Sequence, residues 1–222
     1  MDNKKYRDEY KKAVKNNINA LLKEIDSQDM IDKISNWANK FEYTFDEVRA
    51  KILEDEMFQC VFIKEPSRQN LYEKLAGKYI KSLEIVENFK FLSSGGKDAK
   101  YMVNGKMFKG CDLEGQAKDT KSIDFQWTVG KWEFYATHKY TKDGDGAQDN
   151  QYEDVQKFLH NTRDCNIKNT IFLAICDGEY YLAKDSKTGD ETKIQRLQRL
   201  TDNKTSFVMQ INELKEFLQK YL

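Results

Sequence analysis

The chain has 222 residues, with 37 basic against 37 acidic side chains, so no global field marks it as a coat for nucleic acid. It lacks an apolar run long enough to cross a bilayer, and the start M-D-N-K-K-Y-R-D-E-Y reads as a charged helix, not a signal peptide. Cys60, Cys111, Cys165 and Cys176 show no C-x-x-C spacing and there are two histidines, which excludes a zinc set and leaves buried free thiols in a reducing cytoplasm.

Lys4 to Glu24 predicts an amphipathic helix, with Tyr6, Ala13, Ile18, Leu21 and Leu22 at helical spacing. Met30 to Lys40 and Phe45 to Phe58 predict two more, the second capped by Thr44 with Asp46 and Glu47 in its first turn. Residues 1–64 are therefore expected to form a helical N-terminal layer, and 65–222 an α/β core, with one continuous domain as the alternative. Pro66 punctuates the chain, and Ser67 is expected to cap a long helix reaching Asn88. Its predicted core stripe is Leu71, Leu75, Tyr79 and Leu83, backed by Ala76 and Ile80, which puts Glu73 on the flank with Gln69 and Gly77. From Lys78 to Lys109 seven lysines face three acids, a local basic surplus.

Strand candidates follow at Phe89 to Leu92 and Lys100 to Phe108, the latter turning at Asn104-Gly105, the strongest short hairpin signal. Ser122 to Thr128 and Lys131 to Thr141 form a second pair turning around Val129-Gly130. Gln148 to Asn161 is a helix, and Thr170 to Cys176 a continuous apolar run suited to a strand buried on both faces. A short helix at Ile194 to Leu200, a strand at Ser206 to Met209 and a helix from Ile211 to Leu222 complete the chain. The economical arrangement is a central mixed β-sheet flanked by helices.

An acid on one strand and basic groups at the end of the next suit phosphodiester chemistry. Such a reaction needs a divalent ion held by carboxylate and a cation to steady the developing charge. Asp124 is the candidate for the first role, and His138 or Lys139 for the second. Side chains alternate across a strand, so Ala136 and His138 share one face, and Glu133, Tyr135, Thr137 and Lys139 the other. Both frames stay open, and the length of the turn at 129–130 is expected to decide between them. The loop Asp143-Gly144-Asp145-Gly146 lacks the following Glu of a calcium loop and suits a backbone passing close to phosphate. Behind it Gln148, Asn150 and Gln151, with Lys142 before them, are candidate DNA-binding residues, as are Arg68 and Gln69.

The segment from Ile123-Asp124 through W-E-F-Y-A-T-H-K-Y-T, the glycine loop and Gln148 resembles the PD-(D/E)XK nuclease superfamily, and within it the type II restriction endonucleases. The resemblance covers about Ser67 to Cys176 and implies a restriction-endonuclease-like core that cuts double-stranded DNA as a homodimer, with Mg²⁺ and no small-molecule cofactor. It assigns the metal to Asp124, the Thr137 carbonyl and, through water, Glu73. The family's acid-x-Lys triplet is broken, since Ala136 occupies the acid position and His138 the lysine position. Either the chain is disabled at Ala136, or Glu133 supplies the second carboxylate. The alternatives are a catalytically silent DNA-binding protein of the same fold and a structure-specific DNA or RNA nuclease.

Overall fold

The structure, a computed structural model, describes residues 1–113, 121–142, 147–163, 165–184 and 189–222, the side chains of 147 and 148 excepted. The predicted loop Asp143 to Gly146 lies outside these. The chain divides into two compact units, Lys4–Leu71 and a larger one of Tyr72–Leu222 with Met1–Asn3.

The smaller unit is helical: α1 (Asn3–Lys23), α2 (Gln28–Phe41), α3 (Phe45–Glu54) and α4 (Glu56–Phe62). Thr44 opens α3 with a capping box, its side chain accepting from Glu47 N while Glu47 reaches back to Thr44 N. The predicted single helix from Phe45 to Phe58 is broken at Asp55, whose carboxylate accepts from Met57 N and Phe58 N and starts α4. Leu21, Ile25, Ile34, Ala38, Val48, Ile52 and Phe62 form its core.

Ser67 does not cap a long helix. It sits in a 3₁₀ turn, Pro66–Gln69, whose cap is Glu65, and Asn70 in the left-handed region ends that turn. Helix α5 runs only over Leu71–Lys81. Ala76 and Ile80, expected to back the stripe, are its buried residues together with Gly77, while Leu71, Leu75 and Tyr79 are half-buried, and Glu73, expected on the flank, is half-buried on the same side as Gly77. Gly77 allows the close approach: a Cβ there would fall 2.3 Å from the Phe91 ring.

The larger unit holds a mixed sheet of five strands among the described residues, in the order β1 (Glu87–Phe91), β4 (Phe125–Val129), β5 (Trp132–Tyr140), β6 (Thr170–Asp177), β7 (Ser206–Met209). The β1–β4 and β4–β5 pairs are antiparallel, the β5–β6 and β6–β7 pairs parallel. Helix α6 (Ala147–Thr162) crosses over between β5 and β6, as a parallel pair requires. Strands β2 (Lys100–Val103) and β3 (Lys106–Lys109) form a separate hairpin, with Asn104 and Gly105 both at positive φ as its tight turn demands. Val129 pairs with Trp132, so the β4–β5 turn is Gly130-Lys131, one residue beyond the predicted position.

Every residue of β6 is buried, as its apolar run implies. One sheet face packs Tyr135, Phe172, Ala174 and Cys176 against Val155, Phe158 and Leu159 of α6 and against Met102 of the hairpin. The other carries Phe125 and the stacked pair Trp127 and Phe134, with Tyr221, beyond helix α7 (Leu214–Gln219), set edge-on to Phe134. Cys165 and Cys176 are buried, but Cys60 and Cys111 are exposed, against the expectation of four buried thiols. No helix among the described residues is long and apolar enough to cross a membrane.

Strand β7 is an edge. Its Thr205 neighbour accepts from Phe172 N at 2.7 Å, which turns the main-chain groups of 206, 208 and 210 outward. Side chains take three of them: Ser206 N donates to Asp202 Oδ1 at 2.8 Å, Val208 O accepts from Gln198 Nε2 at 3.2 Å, and Gln210 N donates to Glu213 Oε2 at 2.7 Å.

Candidate functional site

Asp124 stands immediately before β4 and is pinned by its main chain on both sides. Its N–H donates to Ala136 O at 2.9 Å, and its carbonyl accepts from Leu92 N at 2.8 Å. The carboxylate is directed at β5, where Oδ2 accepts from Thr137 Oγ1 at 3.0 Å and from His138 N at 2.7 Å. A metal-binding acid is expected in a solvent-reaching cleft; Asp124 is instead 8% exposed, because these bonds fold it onto the strand.

The register places Phe125 opposite Ala136, and the Phe125 and His138 rings share that face with centroids 6.4 Å apart. Ala136 is fully buried. Glu133 lies at the far end of the ladder, opposite Thr128, where its Oε1 accepts from Gln126 Nε2 at 2.5 Å. The structure thus brings Asp124 to the 136–138 segment and leaves Glu133 out of that group. The turn is a two-residue one at Gly130-Lys131, one position beyond the expected place, so its length alone does not decide between the two frames.

The fourth strand of the sheet order adds a residue that sequence reasoning missed. Asp177 ends β6, and its Oδ2 lies 3.1 Å from His138 Nε2, with both side chains buried. Asp177 Oδ1 accepts from Ile211 N at 2.9 Å, so the imidazole is tied through one carboxylate to the chain after β7. The signal was an acid closing the apolar run T-I-F-L-A-I-C-D, just before Gly178. From α5, Glu73 completes the group. Burial and the charge of Asp124 raise its pKa, while His138 and Lys139 pull the other way.

The predicted DNA-binding residues fall in both units. Lys142 and Asn150 are exposed. Gln151 is engaged by the end of β5, its Oε1 accepting from Thr141 Oγ1 at 2.8 Å. Gln148 lies in the first turn of α6, and its side chain lies outside the described residues. Arg68 and Gln69 are exposed on the 3₁₀ turn of the helical unit, with Gln69 Oε1 accepting from Asn17 Nδ2 at 3.3 Å.

A Mg²⁺ ion demands near-octahedral oxygen coordination. Of the carboxylates here, Asp124 has one oxygen committed to β5, Asp177 is engaged by His138 and Ile211, and Glu73 is half-buried with its pKa raised by that burial. Ala136 contributes no donor side chain. No group of three or more His, Cys, Asp or Glu side chains among the described residues is placed to hold a metal ion. The residues present do not make up the donor set of a resident Mg²⁺. Comparison with protein families, curated proteins and solved structures gives no match to the chain.

Proposed function

We propose that this chain is a restriction-endonuclease-type protein that binds double-stranded DNA and whose hydrolytic centre is disabled at position 136. The observation that carries the reading is the meeting of Asp124 with β5 at Ala136 to His138. There an acid precedes the first paired residue of β4, and the opposing strand offers a buried alanine and a histidine where a nuclease needs a carboxylate and a lysine. The antiparallel β1–β4–β5 arrangement continued by parallel β6 across a helix supports the same core.

Hydrolysis in such a site relies on an ion gripped by paired carboxylates. With Ala136 the pair is broken, whereas affinity for duplex DNA comes chiefly from phosphate contacts and does not depend on it. Lys139 and Lys142, at and beyond the end of β5, are the basic groups nearest in sequence to the centre, and the homodimer matches the two-fold symmetry of a palindromic duplex site.

The test pairs binding with cleavage. The chain should shift duplex DNA in a salt-dependent manner without metal and leave plasmid intact with Mg²⁺. An Ala136→Glu, His138→Lys double variant should nick or cut it. Cutting by the unaltered chain would refute the disabled centre, and no binding at low salt would refute the DNA reading.

A further inference from the structure

On the sheet face that packs against α6, three strands from two separate sheets bring lysines together. Lys100 on β2 stands directly opposite Lys109 on β3. Like charges at directly opposed positions cost stability, and nothing in the hairpin requires them. The Lys100 ammonium then leaves its own hairpin for the larger sheet. It donates to Gln126 Oε1 at 2.9 Å and to Tyr135 Oη at 3.2 Å, and lies 4.8 Å over the Tyr135 ring. Gln126 is in turn the partner of Lys90 on β1.

Burial lowers the pKa of Lys100; Glu133 opposes that shift, and Lys90 and Lys109 reinforce it. Glu133, the carboxylate that acts on Lys100 among the described residues, is itself held by Gln126 Nε2. Lys90 and Lys109 remain exposed. The cluster also borders the candidate site, because Ile123, next to Asp124, donates its N–H to Lys100 O at 2.8 Å. A fold that sets two lysines face to face and adds a third across a sheet boundary departs from local stability where function offers a compensating partner.

We propose that Lys90, Lys100 and Lys109 form a binding face for the phosphodiester backbone of duplex DNA. The proposal rests on the DNA-binding reading above and adds where the backbone is held. The lysines are spread over two sheets that pack through Met102 and Tyr135, so the face is preformed.

The experiment is fluorescence anisotropy of a labelled duplex between about 50 and 200 mM salt, on the full chain, on a Lys90→Ala, Lys109→Ala variant and on a Lys204→Ala, Lys220→Ala control. Each lysine that no longer neutralises a phosphate should reduce the slope of log affinity against log salt by roughly 0.9, so the first variant should lose about 2 from it, and the control nothing. Lys109→Ala alone should melt no lower than the parent, since it removes the opposed pair. An unchanged slope in the first variant, with the parent still binding, overturns the lysine face alone. No binding by the parent overturns both the face and the DNA reading.

Discussion

His138 and Asp177 meet across the parallel β5–β6 ladder, Nε2 to Oδ2 at 3.1 Å, although 39 residues separate them. The second carboxylate oxygen of Asp177 holds Ile211 N, so one buried side chain satisfies two strangers in sequence. Asp177→Ala removes both acceptors at once. Each buried group left unpaired costs about 1–3 kcal/mol, and the variant should lose roughly 2–5 kcal/mol in urea unfolding. A loss under about 1 kcal/mol would show that solvent replaces the carboxylate.

Glu133 offers a clean control on the site. It is bonded to Gln126 at the turn end of the β4–β5 ladder. Glu133→Gln should leave any cleavage gained by the Ala136→Glu, His138→Lys variant within about twofold, since a factor of two is about 0.4 kcal/mol. Abolished cleavage would return Glu133 to the centre.

Glu73 gives a pH dependence of definite sign. Burial, then the charge of Asp124, raises its folded pKa, so its ionisation disfavours the fold. The penalty is absent below the unfolded carboxylate range and grows as pH rises through the raised value. Glu73→Gln should therefore raise the melting temperature at pH 7 and leave it unchanged near pH 4. An equal shift at both pH values would mean that packing, not charge, is responsible.

Asp202 has the opposite sign. Burial pushes its carboxyl up, but the Thr205 hydroxyl and the N–H groups of Lys204, Ser206 and Thr205 outweigh this and hold it well below the usual range. Its contribution is present above the unfolded pKa and is lost as pH falls through the depressed value. Asp202→Ala should cost about 1–2 kcal/mol at pH 7 and show a weaker acid limb in a stability profile against pH.

Gly178 adopts φ +105°, and a Cβ there would lie 1.9 Å from the Thr141 carbonyl oxygen. The obstacle is main chain and cannot rotate away. Gly178→Ala should cost about 3 kcal/mol or more and displace both Asp177 and the end of β5. Normal thermal stability of that variant would show that the backbone there can relax.

Local chemistry made much of this fold legible. Asn104-Gly105 specifies its turn because both positions need positive φ, and the run from Thr170 announces a strand covered on both faces. Ser206 to Met209 matches its strand to the residue. The failures arise where two local choices are nearly equal. Ser67 is a good cap, but Glu65 accepts from Ser67 N and draws it into a 3₁₀ turn, and α5 packs on the Ala76 and Ile80 side of its stripe, which includes Gly77 and takes Glu73 inward. Gly130 serves a turn at 129–130 or at 130–131, and in the register adopted Trp132 packs edge-on against Tyr221 while Trp127 stacks on Phe134. Asp124 was legible as an acid among apolar residues. Its partner strand residues were not, because their register depends on that turn, and Asp177 required knowing that β6 lies beside β5.

The side-chain capping of β7 bears on how the protein behaves in concentrated solution. A strand from another molecule could add to that edge only by displacing Asp202, Gln198 and Glu213 from the groups they hold. The opposite edge, β1, is irregular in another way, with a register shift between Glu87 and Lys90 and Asn88 at positive φ. Open edges template aggregation, and here each end of the sheet is blunted by its own device.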